Sequence, residues 1–181
     1  GMAVVFSAGN SGPGADTGTS PANNPSALAV GGIDASSRLQ SSSSRGPNPC
    51  GPAPFPTLVA PGVDIETTDR TLGGLVPDAR ALVSGTSFAA PHVEGALALL
   101  RSARPEVALA ELQRALTESA VDLGAAGPDN GFGFGRIELR AAEARLDQHQ
   151  RVALPRRSLR DALTAAEPTF FWTPLTGSGG P

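Results

Sequence analysis

The chain has 181 residues, a formal net charge of −3 and a hydrophobic content of 40%, which suits one globular domain with a buried core. It contains no apolar run of the roughly 20 residues that would span a bilayer, and its aromatic content of 4% offers no stacking platform for nucleic acid. The single cysteine, Cys50, excludes an internal disulfide, and 22 glycines with 17 prolines indicate many turns.

Three short apolar runs predict buried strands, because continuous apolar segments that stop at glycine or proline are typical of a parallel sheet. They cover residues 2–7, 27–33 and 57–60. The segments between them are rich in Gly, Pro, Ser and Asn and predict loops, with the serine run at 40–44 interpreted as a flexible turn.

Helices are predicted where the apolar spacing changes to a helical period. The first covers residues 88–102, capped by Thr86 and apolar on nearly all sides, so it should be a buried central helix. The second should begin at Pro105, and the third should cover 136–146. Alternating strands and helices indicate an α/β fold.

The C-terminal stretch shows three further patterns. Residues 158–161 match a capping box, residues 170–172 are aromatic, and residues 177–181 resemble a linker.

Ser87 lies just after a glycine, at the start of the first predicted helix. A helix start presents unpaired backbone N–H groups and the positive end of the helix dipole. A hydroxyl there has donors beside it for the oxyanion of acyl transfer. Because position 89 is alanine, the segment is not the Gly-x-Ser-x-Gly elbow of α/β-hydrolases.

Five segments, in the same order along the chain, resemble those of subtilisin-like serine proteases, the subtilases. The resemblance covers about residues 3–146, and the sequence of the first segment is most similar to the bacillopeptidase F type. These segments are 4–13 (VVFSAGNSGP), 24–32 (NPSALAVGG) followed by 43–47 (SSRGP), 58–65 (LVAPGVDI), 84–95 (SGTSFAAPHVEG) and 130–137 (NGFGFGRI). Five ordered motifs make a chance match implausible. The resemblance implies the C-terminal part of a subtilisin-like three-layer fold: residues 1–146 would be the C-terminal portion of the peptidase domain and 147–181 a tail, a linker or the start of a following segment.

The resemblance also implies site residues and partners. Ser87 would be the nucleophile and Asn10 would supply the oxyanion-hole amide, while Ser7, Ala8 and Gly9 would line one wall of the primary specificity pocket. The substrate would be a polypeptide, and the family implies secretion. No Asp-x-Asp-x-Asp-Gly loop is present, so no metal ligand is assigned and no cofactor is certain, although the resemblance leaves room for calcium in a complete enzyme.

A general base for Ser87 is missing from the predicted site. His92 lies five residues further along the same helix, about 7.5 Å along its axis and roughly 140° around it, and His149 lies in the charged C-terminal stretch. Asp16-Thr17-Gly18 imitates the family's aspartate motif but follows the asparagine segment. The resemblance implies that the triad aspartate and histidine precede residue 1, in a missing N-terminal half that would be this chain's partner.

Three hypotheses stay open on this basis. The chain is a fragment of a serine endopeptidase, a non-catalytic subtilase-like domain that binds a peptide or partner, or a truncated product that does not fold stably. Retention of both Ser87 and Asn10 counts against the second hypothesis, since a binding module needs neither.

Overall fold

The structure is a computed structural model that describes residues 1–149, except 71, 73 and 77. Five strands are followed by three helices along the chain. They are β1 (Val5–Ser7), β2 (Leu28–Ile33), β3 (Leu58–Pro61), β4 (Ile65–Thr68), β5 (Arg80–Val83), α1 (Thr86–Ala103), α2 (Leu109–Glu118) and α3 (Leu139–His149). The predicted mixed α/β fold with a parallel sheet is confirmed.

The parallel sheet has the strand order β1-β2-β3, in which Val30 pairs with Ser7 on one side and Leu58 on the other. Side chains alternate between the two faces of such a strand. Leu28 and Val30 therefore join the large core with all three helices, whereas Ala29 joins a small cluster with Phe55 on the opposite face. Among the described residues the helices thus cover one face of the sheet.

Helix α1 packs against all three strands of the parallel sheet and against both other helices. Its apolar residues Val93, Leu97 and Leu100 are buried in that core, whereas Pro91, His92 and Glu94 are exposed. The predicted central helix that carries Ser87 is therefore present. Only one of its faces is buried, whereas the sequence predicted burial on nearly all sides. The N-cap is Gly85 and makes no side-chain capping bond, so the prediction that Thr86 caps the helix is wrong.

The later helices begin three or four residues after their predicted starts. Helix α2 begins at Leu109, because Val107 closes a turn by donating its N–H to the Arg104 carbonyl. Helix α3 begins at Leu139, because Arg136 pairs with Val121 and the Ile137 N–H donates to the Val59 carbonyl beside β3. These backbone bonds hold the intervening segments in non-helical conformations.

Strands β4 and β5 form an antiparallel pair that the sequence pattern did not predict. Their residues alternate between half-buried and exposed; β4 has no continuous apolar run, and the apolar run of β5 is only three residues long. Leu82 on β5 and Leu75 in the connection are largely exposed. The pair connects β3 to the residues directly before Ser87.

The end of the serine run is buried although Ser41 is exposed, which corrects the interpretation of the whole run as a flexible turn. Ser43 and Ser44 are fully buried. The Ser43 hydroxyl accepts the Gly32 N–H at 3.2 Å, and the Ser44 hydroxyl accepts the Ser11 N–H at 3.1 Å. Buried loop backbone needs such partners because an unpaired N–H is costly away from water. The run therefore supports the turn that follows β1.

Buried Arg104 joins the end of α1 to α3. Its guanidinium pairs with Glu143 at 3.8 Å and also contacts Asp147. Since α3 continues to His149, residues 147–149 of the predicted tail belong to a helix of the domain. The domain division otherwise stays a prediction. The predicted capping box at 158–161, the aromatic residues 170–172 and the terminal linker lie outside the described residues.

Candidate active site

Ser87 lies in the first turn of α1, close to the carboxyl ends of the parallel strands. Gly85 has φ +154°, and its N–H donates to the Gly62 carbonyl at 2.7 Å, just after β3. A Cβ on Gly62 would lie 3.1 Å from the Gly85 carbonyl oxygen, so glycine allows the two backbones to approach closely. Crevices at this edge of a parallel sheet are where α/β proteins bind ligands.

Asn10 is held against the start of α1 by Thr86. The Asn10 Oδ1 accepts the Thr86 backbone N–H at 3.0 Å and the Thr86 hydroxyl at 3.3 Å. The same hydroxyl accepts the Gly9 N–H at 3.2 Å. Since an N–H can donate only to the amide oxygen, these bonds determine the orientation of the carboxamide. Thr86 thus joins the turn after β1 to the residue directly before Ser87.

Two donors remain free at this point. Within the described part of the chain, neither the Asn10 Nδ2 nor the Ser87 backbone N–H donates a hydrogen bond. The first N–H groups of a helix have no partner inside the helix, which accounts for the second donor. Both Ser87 and Asn10 are exposed to solvent. The predicted nucleophile and the predicted oxyanion donor are therefore brought to the same helix start, as an acyl-transfer site requires.

Ser7, Ala8 and Gly9 lead from the end of β1 into the Asn10 turn. The buried Ala8 donates its N–H to the Val30 carbonyl at 2.8 Å, so it continues the β1–β2 pairing. Gly9 has φ +105°, and a Cβ there would lie 2.8 Å from the Ser44 hydroxyl. The segment is therefore firmly fixed beside the helix start, and its role as a wall of a specificity pocket stays a prediction.

His92 is not positioned as a base for Ser87. Its Nδ1 lies 2.8 Å from the Phe88 carbonyl oxygen one turn back, and the side chain is exposed. The described side chains thus offer Ser87 no histidine base, while the side chain of His149 lies outside the described set. Asp16, in the false aspartate motif, is exposed in a loop that contacts residues 45–46.

Thr86 is a residue of the site whose role the sequence did not predict. It was interpreted as a helix cap, but the hydroxyl bonds across 76 positions of sequence to Asn10 instead. The sequence carried no local signal of this role, because the burial that makes partners for the hydroxyl necessary is itself a tertiary property. Which partners it has depends on the approach of β1 to α1, which the local pattern does not contain.

A cavity of about 460 Å³ adjoins the site at Ser84, three residues before the predicted nucleophile Ser87. The Ser84 hydroxyl accepts the Asp64 N–H at 2.9 Å, which fixes the strand before Gly85. Asp34 and Arg38 form another part of the wall and pair at 2.7 Å. Hydrogen bonds from the Arg38 backbone N–H, and from the other Arg38 and Ser36 donors, hold the pKa of the Asp34 carboxyl below its ordinary value.

Comparison with known proteins places this site in a family. The model of the subtilase family matches residues 1–135, which include every predicted site residue. This chain belongs to the subtilase family. Bacillopeptidase F of Bacillus subtilis is 34% identical over 142 residues, which cover 73% of this chain and 9% of that protein. Subtilisin E of the same organism is 35% identical over 146 residues, which cover 78% of this chain and 34% of that protein.

Further subtilases support the assignment. An extracellular serine protease of Serratia marcescens is 48% identical over 59 residues, which are 33% of this chain and 6% of that protein. The solved structure of the prenylagaramide maturation protease PagA superposes with a TM-score of 0.67 and 25% identity, covering 80% of this chain and 50% of that one. The chain therefore spans half or less of each of these proteins.

Two further properties concern metals and membranes. In the part of this subtilase that the structure describes, no three His, Cys, Asp or Glu side chains converge to hold a metal ion. Within the same part, no helix is both long and apolar enough to cross a membrane. Cys50 is exposed and free.

Proposed function

We propose that this chain is the nucleophile-bearing part of a serine endopeptidase and acts together with an N-terminal region that supplies the triad aspartate and histidine. The single observation that carries the proposal is the Thr86–Asn10 hydrogen bond, which holds a carboxamide with a free Nδ2 beside Ser87. A peptide- or partner-binding domain without catalysis would need neither group in this arrangement.

In the proposed reaction the Ser87 hydroxyl attacks the carbonyl carbon of the scissile peptide bond. The histidine of the N-terminal region accepts the hydroxyl proton and returns it to the leaving amine. The developing oxyanion accepts hydrogen bonds from the Asn10 Nδ2 and the Ser87 N–H, helped by the positive end of the α1 dipole. Water then hydrolyses the acyl-enzyme by the same route, releasing the new carboxylate and restoring Ser87.

Ser7, Ala8 and Gly9 would form one wall of the pocket for the substrate side chain next to the scissile bond. Their small side chains would leave room for a large apolar group. The N-terminal region would pair with β1, which in the described part has a partner strand only on the β2 side. It would also cover the exposed face of α1.

We also propose that the protein is secreted, because one relative is named an extracellular serine protease. No cofactor is assigned.

The test uses the protein extended upstream through the family's aspartate and histidine motifs. Ser87→Ala should abolish cleavage of an internally quenched peptide and labelling by a fluorophosphonate. Asn10→Ala should lower turnover by roughly 10²–10³-fold while leaving labelling specific to Ser87, because one oxyanion donor is lost. Unchanged turnover in Asn10→Ala would refute the oxyanion assignment. Absence of any turnover in the folded, extended protein would refute the endopeptidase proposal.

A further inference from the structure

A second cavity, of about 470 Å³, lies beyond the one at Ser84. Its wall includes Arg45 and Leu39 from the connection between β2 and β3, together with residues of two other loops. These other residues include Pro13, Asn130, Gly131 and Phe132. Leu39 lines both cavities, so they adjoin across this side chain and together lead away from the residues next to Ser87.

Arg45 is fixed in position but lacks a partner for its charge. Its backbone N–H donates to the Thr17 hydroxyl at 2.9 Å, and its carbonyl accepts the Thr17 N–H at 3.0 Å. Its Nε is buried without a hydrogen-bond partner, and among the described residues no carboxylate lies within ion-pair distance of its guanidinium. A half-buried guanidinium with a buried orphan donor favours an anion at this place.

The acidic residue in the same cavity, Asp129, forms no ion pair with Arg45. Asp129 lines the wall, but its Oδ1 accepts the N–H groups of Gly131 and Phe132, both at 2.7 Å, and its Oδ2 accepts the Ala125 N–H at 3.1 Å. By contrast Arg38, in the neighbouring cavity, is already paired with Asp34. Arg45 is therefore the cavity arginine whose charge is left to interact with a ligand.

We infer that the cavity at Arg45 binds a carboxylate group of the peptide substrate, at a position several residues from the scissile bond. The inference rests on the proposed function, which provides the peptide and the nucleophile. A guanidinium matches a carboxylate in planar, two-pronged geometry, while Leu39 and Phe132 contact the aliphatic part of the same residue. Two sources have this chemistry, an aspartate or glutamate side chain and the carboxylate at the peptide's C-terminus.

The experiment measures kcat/KM for the extended protein with internally quenched peptides. One aspartate is moved through successive positions on each side of the scissile bond, and each peptide has a matched asparagine control. A second pair differs only in a free or amidated C-terminus. At one position the carboxylate should raise kcat/KM about fivefold or more over its control, and the ratio should fall at ionic strengths well above about 0.15 M.

Substitutions then test whether Arg45 causes the preference for the carboxylate peptide. Arg45→Gln should reduce the ratio to about one, and an unfolding transition like that of the wild type would exclude misfolding as the cause. Arg45→Lys should retain part of the preference, because the charge remains without the planar fork. Arg140→Gln removes an exposed arginine on α3 and should leave the ratio unchanged. An equal ratio in Arg45→Gln and wild type, or no carboxylate preference at any position, would overturn the inference.

A binding measurement separates this inference from the proposed function. Fluorescence anisotropy with the same labelled peptides is recorded on the Ser87→Ala form of the extended protein. If the wild-type protein cleaves the neutral peptide but Arg45→Gln does not alter binding, only the Arg45 inference fails. If nothing is cleaved but binding still favours the aspartate peptide in an Arg45-dependent way, the endopeptidase proposal fails and the carboxylate site stands.

Discussion

Thr86 is fully buried, and its hydroxyl contacts both Gly9 of the proposed pocket wall and Asn10 of the proposed oxyanion site. The hydroxyl accepts the Gly9 N–H and donates to the Asn10 Oδ1, and the Thr86 backbone N–H donates to the same oxygen. A side chain of the same shape without the oxygen would keep the packing but lose two of these three bonds. Thr86 is thus a positioning residue for the proposed site, since it acts through Asn10.

Replacing Thr86 by valine tests this role in the extended protein. We expect unfolding free energy to fall by about 1–3 kcal/mol, because the Gly9 N–H loses its acceptor, and turnover to fall by roughly tenfold with the misaligned amide. Peptide cleavage and guanidinium unfolding measure the two effects. Thr86→Ser keeps the hydroxyl and should stay near wild-type turnover. A Thr86→Val enzyme with full turnover would contradict the positioning role.

Gly85 has backbone angles that only glycine adopts without strain, φ +154° and ψ 157°. A Cβ there would meet no atom closer than 3.6 Å, so the cost of Gly85→Ala is conformational rather than steric. We expect a loss of about 1–3 kcal/mol in unfolding free energy, with reduced turnover because the helix start shifts. Gly51→Ala, in an exposed loop where the nearest atom is 3.7 Å away, should change stability by less than about 0.5 kcal/mol. Equal effects in thermal unfolding would contradict this explanation.

At the scale of elements, α1 has two functions that depend on its opposite ends. Its first turn presents the Ser87 N–H, and its C-terminal end is held by Arg104 against Glu143 and Asp147 of α3. The Arg104 side chain is only 3% exposed, whereas the Asp147 side chain is 43% exposed, so Arg104 is the more deeply buried partner of this ion pair. This contact fixes α3 on the helical layer, far from Ser87 along the helix.

Arg104→Ala should therefore reduce stability more than activity. We expect a loss of about 3 kcal/mol in unfolding free energy, at the low end for a broken buried ion pair because the two acids keep partial contact with water. Arg114→Ala removes the exposed pair with Glu111 and should cost less than about 1 kcal/mol. Denaturant titration of both variants measures the difference. Similar losses of unfolding free energy in the two variants would mean that burial does not increase the contribution of the Arg104 pair to stability.

At the scale of the whole molecule, the described part contains the proposed nucleophile and the proposed oxyanion donors but no histidine base for Ser87. The exposed face of α1, with Pro91, His92 and Glu94, lies on the same element as the proposed site. Strand β1 has a partner strand only on its β2 side in that part of the chain. Both features agree with a site that a second region of the fold completes.

The 181-residue chain by itself should therefore have no protease turnover and should not label rapidly with a fluorophosphonate. Without a base the hydroxyl stays protonated and is a weak nucleophile. Activity-based labelling, followed by mass spectrometry of the Ser87 peptide, measures this. The extended protein is the positive control. Rapid labelling of Ser87 in the chain alone would mean that a base within these residues serves it.

Sequence by itself determined much of this protein's architecture and the identity of its proposed site. Apolar runs located β1, β2 and β3, because a strand buried on both faces must be continuously apolar. The segments around Ser87 and Asn10 resemble subtilase motifs, and that resemblance implied the roles of both residues.

Only the tertiary structure decided how those features meet. The pairing of Thr86 with Asn10, the burial of Ser43 and Ser44, and the β4–β5 pair all depend on contacts between residues distant in sequence. A polar residue in a loop looks the same in sequence whether it is solvated or buried with partners. The exposure of one α1 face and the unpaired charge of Arg45 are likewise properties of the assembled chain, because burial depends on what packs alongside.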